Sequence, residues 1–147
     1  YIYHNLSIKN ILNNEMFYDK YINDDFLNVV VPKTFEKISM QYLIRKNKKG
    51  LIIPIIEDIG TYWYDNPKER KNGQFDLVTK SKDGYIVYEV KFTNSKIDNH
   101  IINEEILQVA KTNLNPINYG FISKTGFNIT NDNNYILISL DDIYEEI

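Results

Sequence analysis

The sequence predicts an α/β layered domain built on a mixed sheet, and three observations carry that prediction. A strand-loop-strand pattern fills the middle of the chain, helical patterns stand on either side of it, and two further strand-like runs precede a short terminal helix. The chain has 147 residues, 43% of them hydrophobic and 14% aromatic, which is the size of one domain with ample material for a core.

Taken in order, residues 1–31 read as a helical segment and a junction. Ser7 can cap a helix over residues 8–12. Met16, Phe17, Tyr21, Ile22 and Phe26 then recur at roughly helical spacing, with Asp24 and Asp25 placed to cap a helix beginning near Phe26. The main domain, residues 32–147, opens on a helix from Pro32 to about Asn47, because proline suits a first helical turn and disrupts an interior. Its core-facing stripe is Phe35, Ile38, Ser39, Tyr42 and Leu43, with Glu36 and Met40 on the border. Arg45, Lys46, Lys48 and Lys49 suit the negative pole of the helix dipole, and Gly50 stops the helix.

Residues 51–56, interrupted by Pro54, form an apolar connector or a short edge strand. Residues 59–65 read as a strand carrying Tyr62, Trp63 and Tyr64, ended by Asn66-Pro67. The polar loop that follows brings Lys68, Arg70 and Lys71 up to the next strand. Residues 72–79 and 85–92 are β-branched and aromatic runs joined by a polar segment ending in Asp83-Gly84, the mark of an antiparallel hairpin. After it, Ile101, Ile102, Ile106, Leu107, Val109, Ala110 and Leu114 give a helix ended by Asn115-Pro116. Residues 117–123 and 135–140 are strands separated by a turn-rich stretch, and Asp141 and Asp142 cap a last helix.

The chemistry sits on the hairpin. Strand alternation puts Glu89 and Lys91 on one side with Val87, and Ile86, Tyr88, Val90 and Phe92 on the other. An acid and an amine in an otherwise apolar strand are costly to desolvate unless they pair or bind something. Asp76, in the neighbouring strand, can bring a second carboxylate beside Glu89. Two carboxylates and a lysine make a hard-oxygen site for a divalent ion, with a group able to orient water or phosphate. Gln108 on the later helix can line the same cleft.

Bulk composition excludes other chemistries. The net charge of −3 advertises no nucleic-acid or membrane surface, so phosphate contacts must come from local patches such as Lys68, Arg70 and Lys71. With no cysteine, thiolate metal sites and thiol nucleophiles are ruled out, and the 2 histidines, His4 and His100, are too few for a histidine-rich site. The longest apolar runs fall well short of the roughly 20 residues of a membrane helix. A cytoplasmic protein with no membrane partner is expected, and the start at Tyr1 points to a fragment of something larger.

A helix with Glu36, a hairpin with Asp76 and Glu89-Val90-Lys91, and a following helix resemble the PD-(D/E)XK nuclease superfamily, whose core is α-β-β-β-α-β, the restriction-endonuclease-like fold. The runs Tyr3-His4-Asn5-Leu6-Ser7, Phe35-Glu36 with Gln41-Tyr42-Leu43, residues 59–65, Phe75-Asp76-Leu77-Val78 and Glu89-Val90-Lys91-Phe92 look like a more specific group. That group is the C-terminal domain of archaeal-type AAA/STAND ATPases, domain-of-unknown-function family 234, and the likeness covers residues 1 to about 127. It implies an upstream P-loop ATPase module as partner; no GxxxxGK[ST] occurs in this sequence. It further implies that Asp76 and Glu89 hold Mg²⁺ or Mn²⁺ with the Val90 carbonyl, that Glu36 completes the set, and that Lys91 positions the attacking water on a nucleic-acid phosphodiester, DNA more than RNA. Gln74 stands where relatives often have glutamate, which leaves Glu36 to supply any third acid. The alternatives are a catalytically silent nuclease-fold module regulating its ATPase, or nucleic-acid binding without cleavage.

Overall fold

The computed structural model describes residues 26–66, 71–130 and 133–145. The expected helices of residues 8–25 and the loop cations Lys68 and Arg70 lie outside the described residues, as does the side chain of Lys71. The chain divides into two compact units, Tyr1–Thr34 and Phe35–Ile147. In the first, a π-helical turn, Phe26–Val30, is described, and the Thr34 hydroxyl donates back to the Val30 carbonyl at 2.7 Å.

Helix α1 spans Val31–Lys48, so Pro32 falls in the first turn, where its missing N–H leaves no bond unmade. In the second unit Phe35, Ser39, Tyr42 and Leu43 are its buried stripe. Ser39 is tolerated there because its hydroxyl donates to the Phe35 carbonyl at 2.8 Å. Ile38, expected in the stripe, is 39% exposed, because the stripe runs through Phe35, Ser39 and Tyr42 and leaves it on the flank. Gly50, at φ +71°, ends the helix in a Schellman turn: its N–H donates to the Asn47 carbonyl and the Leu51 N–H to that of Lys46, each at 3.0 Å.

Residues 51–57 are a connector. The Asn47 side chain holds it by bonding both the N–H and the C=O of Ile56, at 2.8 and 2.9 Å. Three strands follow: β1 (Asp58–Asn66), β2 (Lys71–Ser81) and β3 (Gly84–Lys91), with β2 and β3 joined by a two-residue loop between the paired Ser81 and Gly84. Gly84, at φ +141°, supplies the backbone conformation that loop exit needs. A short strand β4 (Ile97–Asp98) leads into helix α2 (Asn99–Ala110), which is capped by the Asp98 carboxylate accepting from the Ile101 N–H at 3.0 Å. Strands β5 (Asn118–Ser123), β6 (Phe127–Asn128) and β7 (Ile136–Ser139) and helix α3 (Leu140–Glu145) complete the unit. Helix α3 is capped by Ser139, whose N–H donates to Asp142 at 2.7 Å while the Asp142 N–H donates to its hydroxyl at 3.2 Å, a reciprocal capping box.

The main sheet has five strands in the order β1-β2-β3-β5-β7, antiparallel from β1 to β3 and parallel from β3 to β7. The mixed α/β architecture expected from the sequence is the one found. Strands β4 and β6, which pair in parallel outside it, are too short to have left a periodic signal. One face packs Leu77, Tyr88, Val90, Ile122 and Ile138 against Phe35, Tyr42 and Leu43 of α1 and Ile143 of α3. On the other, Phe75, Val78 and Val87 meet Val109 and Leu114, and Phe121 meets Ile97 and Ile102. Burying each such side chain contributes about 1.5–3 kcal/mol, so the helices are fixed to the sheet from both sides. Tyr88 lies across the backbone of Gly120 on the neighbouring strand, where a Cβ would run into its ring. Among the described residues no helix is long and apolar enough to cross a membrane.

Candidate active site

The sheet forks at the hairpin's open end. Pairing between β2 and β3 runs from Ser81↔Gly84 to Leu77↔Tyr88 and stops. Beyond that point β2 pairs only with β1, and β3 only with β5. Asp76 and Glu89 are the first residues past the split. A β-bulge falls at the same place: between the pairs Gly60↔Val78 and Tyr62↔Phe75, β1 spends one intervening residue and β2 spends two, Asp76 and Leu77. The bulge shifts the side-chain alternation, so Phe75 and Val78 share the core beneath α2 while Leu77 joins the opposite one.

The fork frees the Val90 N–H from the β2 ladder, and the Asp76 carboxylate accepts it at 3.3 Å. Burial, with the charges of Glu89 and Glu36, pushes the Asp76 carboxyl up to about 6, against the lowering effect of that bond and of Lys91. Lys91 forms an ion pair with Glu89, whose side chain is only 14% exposed. Burial would lower the Lys91 pKa, but its bond to Glu89 and the charges of Glu89, Asp76 and Glu105 raise it overall. Glu36, half-buried on α1, lies close enough to raise Asp76. Glu36, Glu89 and Lys91 are thus all within electrostatic reach of Asp76, the four residues coming from three segments.

A fifth member was not singled out from the sequence. Glu105 of α2 is 7% exposed and hydrogen-bonds Glu89 carboxyl to carboxyl; its pKa is raised first by burial and then by Glu89. The signal was there: Ile102, Glu105 and Val109 are the buried positions of α2, so an acid occupies a core-facing turn. Its Oε1 is buried without a donor, an arrangement that ordinarily costs about 1–3 kcal/mol. Among the described residues no three His, Asp or Glu side chains stand ready-arranged around a metal ion.

The remaining expected residues are placed as follows. Gln108 is exposed on α2, and its amide donates to the Tyr64 hydroxyl at 2.6 Å, which ties the helix to β1. Gln74 is exposed on β2. Trp63 is 73% exposed and borders a cleft of about 350 Å³ together with Tyr62, Tyr64, Asp65, Lys111 and Asn113.

The sequence profile of domain-of-unknown-function family 234, described as archaeal and bacterial proteins of unknown function, matches residues 1–106. The chain belongs to this family. No curated protein and no solved structure matches it. The family 234 match includes Glu36, Asp76, Glu89, Lys91 and Glu105 and ends before Gln108, so the charged cluster lies wholly within the family's own region.

Proposed function

We propose that the domain is a divalent-cation-dependent phosphodiesterase of the PD-(D/E)XK nuclease type, acting on a nucleic-acid strand, DNA in preference to RNA. One observation carries this reading: the Asp76 and Glu89 carboxylates and the Lys91 ammonium meet where the sheet forks, partly shielded from water. The donors are hard oxygens of the kind Mg²⁺ and Mn²⁺ take, and the unpartnered Glu105 oxygen lies in the same cluster; the side chains would have to close around the ion to hold it. Asp76 and Glu89 would hold the cation, with Glu36 and the Val90 carbonyl completing the set. When bound, such a cation supplies Lewis acidity, lowering the pKa of water and neutralising charge on a phosphodiester. Lys91, held in place by Glu89, orients the attacking water or the phosphoryl oxygens. Gln108 and the cations Lys68, Arg70 and Lys71 contact the substrate. An upstream P-loop ATPase module, implied by the resemblance to AAA/STAND ATPases, is the domain's partner in this reading.

The test is calorimetric titration of Mn²⁺ into the wild-type chain and Asp76→Ala, followed by DNA and RNA cleavage assays with Lys91→Ala as control. Metal binding lost in Asp76→Ala, with cleavage lost in Lys91→Ala, is the expected result. A second reading, a silent nuclease-fold module, is favoured by the Lys91–Glu89 ion pair, which engages a ligand oxygen. Equal metal binding in wild type and Asp76→Ala would select it.

A further inference from the structure

Helix α2 buries Ile102, Glu105 and Val109 and leaves Glu104 exposed, 3.5 Å from His100 one turn away. An acid whose only task is to fill a core position is expected to have both oxygens satisfied, because nearly all buried polar atoms find partners. Glu105 departs from that. One side of its carboxyl is bonded to Glu89, while Oε1, buried in a residue only 7% exposed, has no donor. The groups around it are Glu89, its neighbour, Asp76 within electrostatic reach, the ammonium of Lys91, engaged with Glu89, and the Tyr119 hydroxyl, which lies within electrostatic reach but does not bond Oε1. Facing lone pairs are satisfied by a cation that several carboxylates share, as hard divalent ions are.

Resting on the cation site proposed at Asp76 and Glu89, we infer that Glu105 is a further ligand of that cation, so helix α2 supplies a protein oxygen that the hairpin and α1 do not. The ligand set then draws on both helical layers as well as the sheet. It also gives a reason for an acid at a core-facing position of α2, where an apolar residue would otherwise pack.

The test is calorimetric titration of Mn²⁺ into the wild-type chain and the variants Glu105→Gln, Glu105→Asp, Asp76→Ala and, as the exposed control, Glu104→Gln. Glutamine preserves the shape of glutamate and can donate its amide to Glu89, whereas aspartate preserves the charge and shortens the reach. A packing role is therefore served better by glutamine and a ligand role better by aspartate. The expected order of affinity is wild type, then Glu105→Asp, then Glu105→Gln, with the last weakened tenfold or more and Glu104→Gln unchanged. The metal-free melting temperature of Glu105→Gln should equal or exceed that of wild type, which separates lost affinity from lost fold. Wild-type affinity in Glu105→Gln, or an affinity at or above that of Glu105→Asp, overturns the assignment of Glu105, while loss in Asp76→Ala leaves the parent site standing. No binding by the wild-type chain, or equal binding in Asp76→Ala, overturns both.

Discussion

The Val90 amide donates at 3.3 Å to the carboxylate of Asp76, the first β2 residue past the point where β2 and β3 stop pairing. A backbone donor that the sheet has released is thus taken up by a side chain, and this fastens Asp76 beside Glu89. The bond favours the charged carboxylate, but burial and the nearby acids outweigh it.

That balance predicts a pH dependence. The folded Asp76 carboxyl titrates at about 6 against 3.8 for an unperturbed one. Its contribution to metal-free stability is fully present below about 4 and is lost as pH rises through about 6. Asn keeps an oxygen for the Val90 N–H and cannot ionise. Asp76→Asn should therefore melt with wild type at pH 4 and above it at pH 8, in chelator, as measured by thermal unfolding followed by circular dichroism. Under the proposed chemistry, excess Mn²⁺ should reverse the order at pH 8, because the cation would bind only the ionised wild-type site.

Lys91→Ala removes the cation from a group of acids that includes Glu89, Asp76 and Glu105. The Lys91 side chain is 38% exposed, so the loss should lie between that of a surface pair and a buried one, about 1–2 kcal/mol by urea denaturation. Under the proposed chemistry, cleavage should fall by about 10²–10³-fold with metal affinity kept or raised. Cleavage at the wild-type rate would remove Lys91 from the mechanism.

Gly120→Ala should destabilise the fold by about 1–3 kcal/mol, because the new methyl would meet the Tyr88 ring, which is itself fixed in the core. Chemical denaturation measures it. A neutral result would mean that the ring can move aside.

Trp63→Ala should change stability by less than about 0.5 kcal/mol, since the ring is 73% exposed. If single-stranded nucleic acid stacks at the cleft it borders, affinity should fall by about 1–3 kcal/mol, read by fluorescence anisotropy of a labelled oligonucleotide. Unchanged affinity would assign the ring no part in substrate contact.

Much of this arrangement was legible in the residues. The hairpin declared itself through Asp83-Gly84 and the alternation that separates Val87 from Tyr88 and Val90, and the two helices through their apolar spacing. Two features were hidden for identifiable reasons. The bulge at Asp76 and Leu77 breaks the two-residue period on which strand reading depends, so Phe75 and Leu77, which strict alternation would put on one face, enter different cores. Glu105 sits in a helix whose apolar residues advertise packing, and an acid among them reads as surface unless its angular position is worked out. The run from Leu51 to Ile56, open in the sequence between a connector and a short edge strand, is the connector: Pro54 lacks a donor and the Asn47 side chain occupies the backbone of Ile56.

The chain's 1 tryptophan is the solvent-facing Trp63. Its emission should already be red-shifted in the folded protein and should change little on unfolding, so intrinsic fluorescence is a poor denaturation probe here. The same placement makes that ring a native spectroscopic reporter of whatever docks along the β1 margin, with no added label.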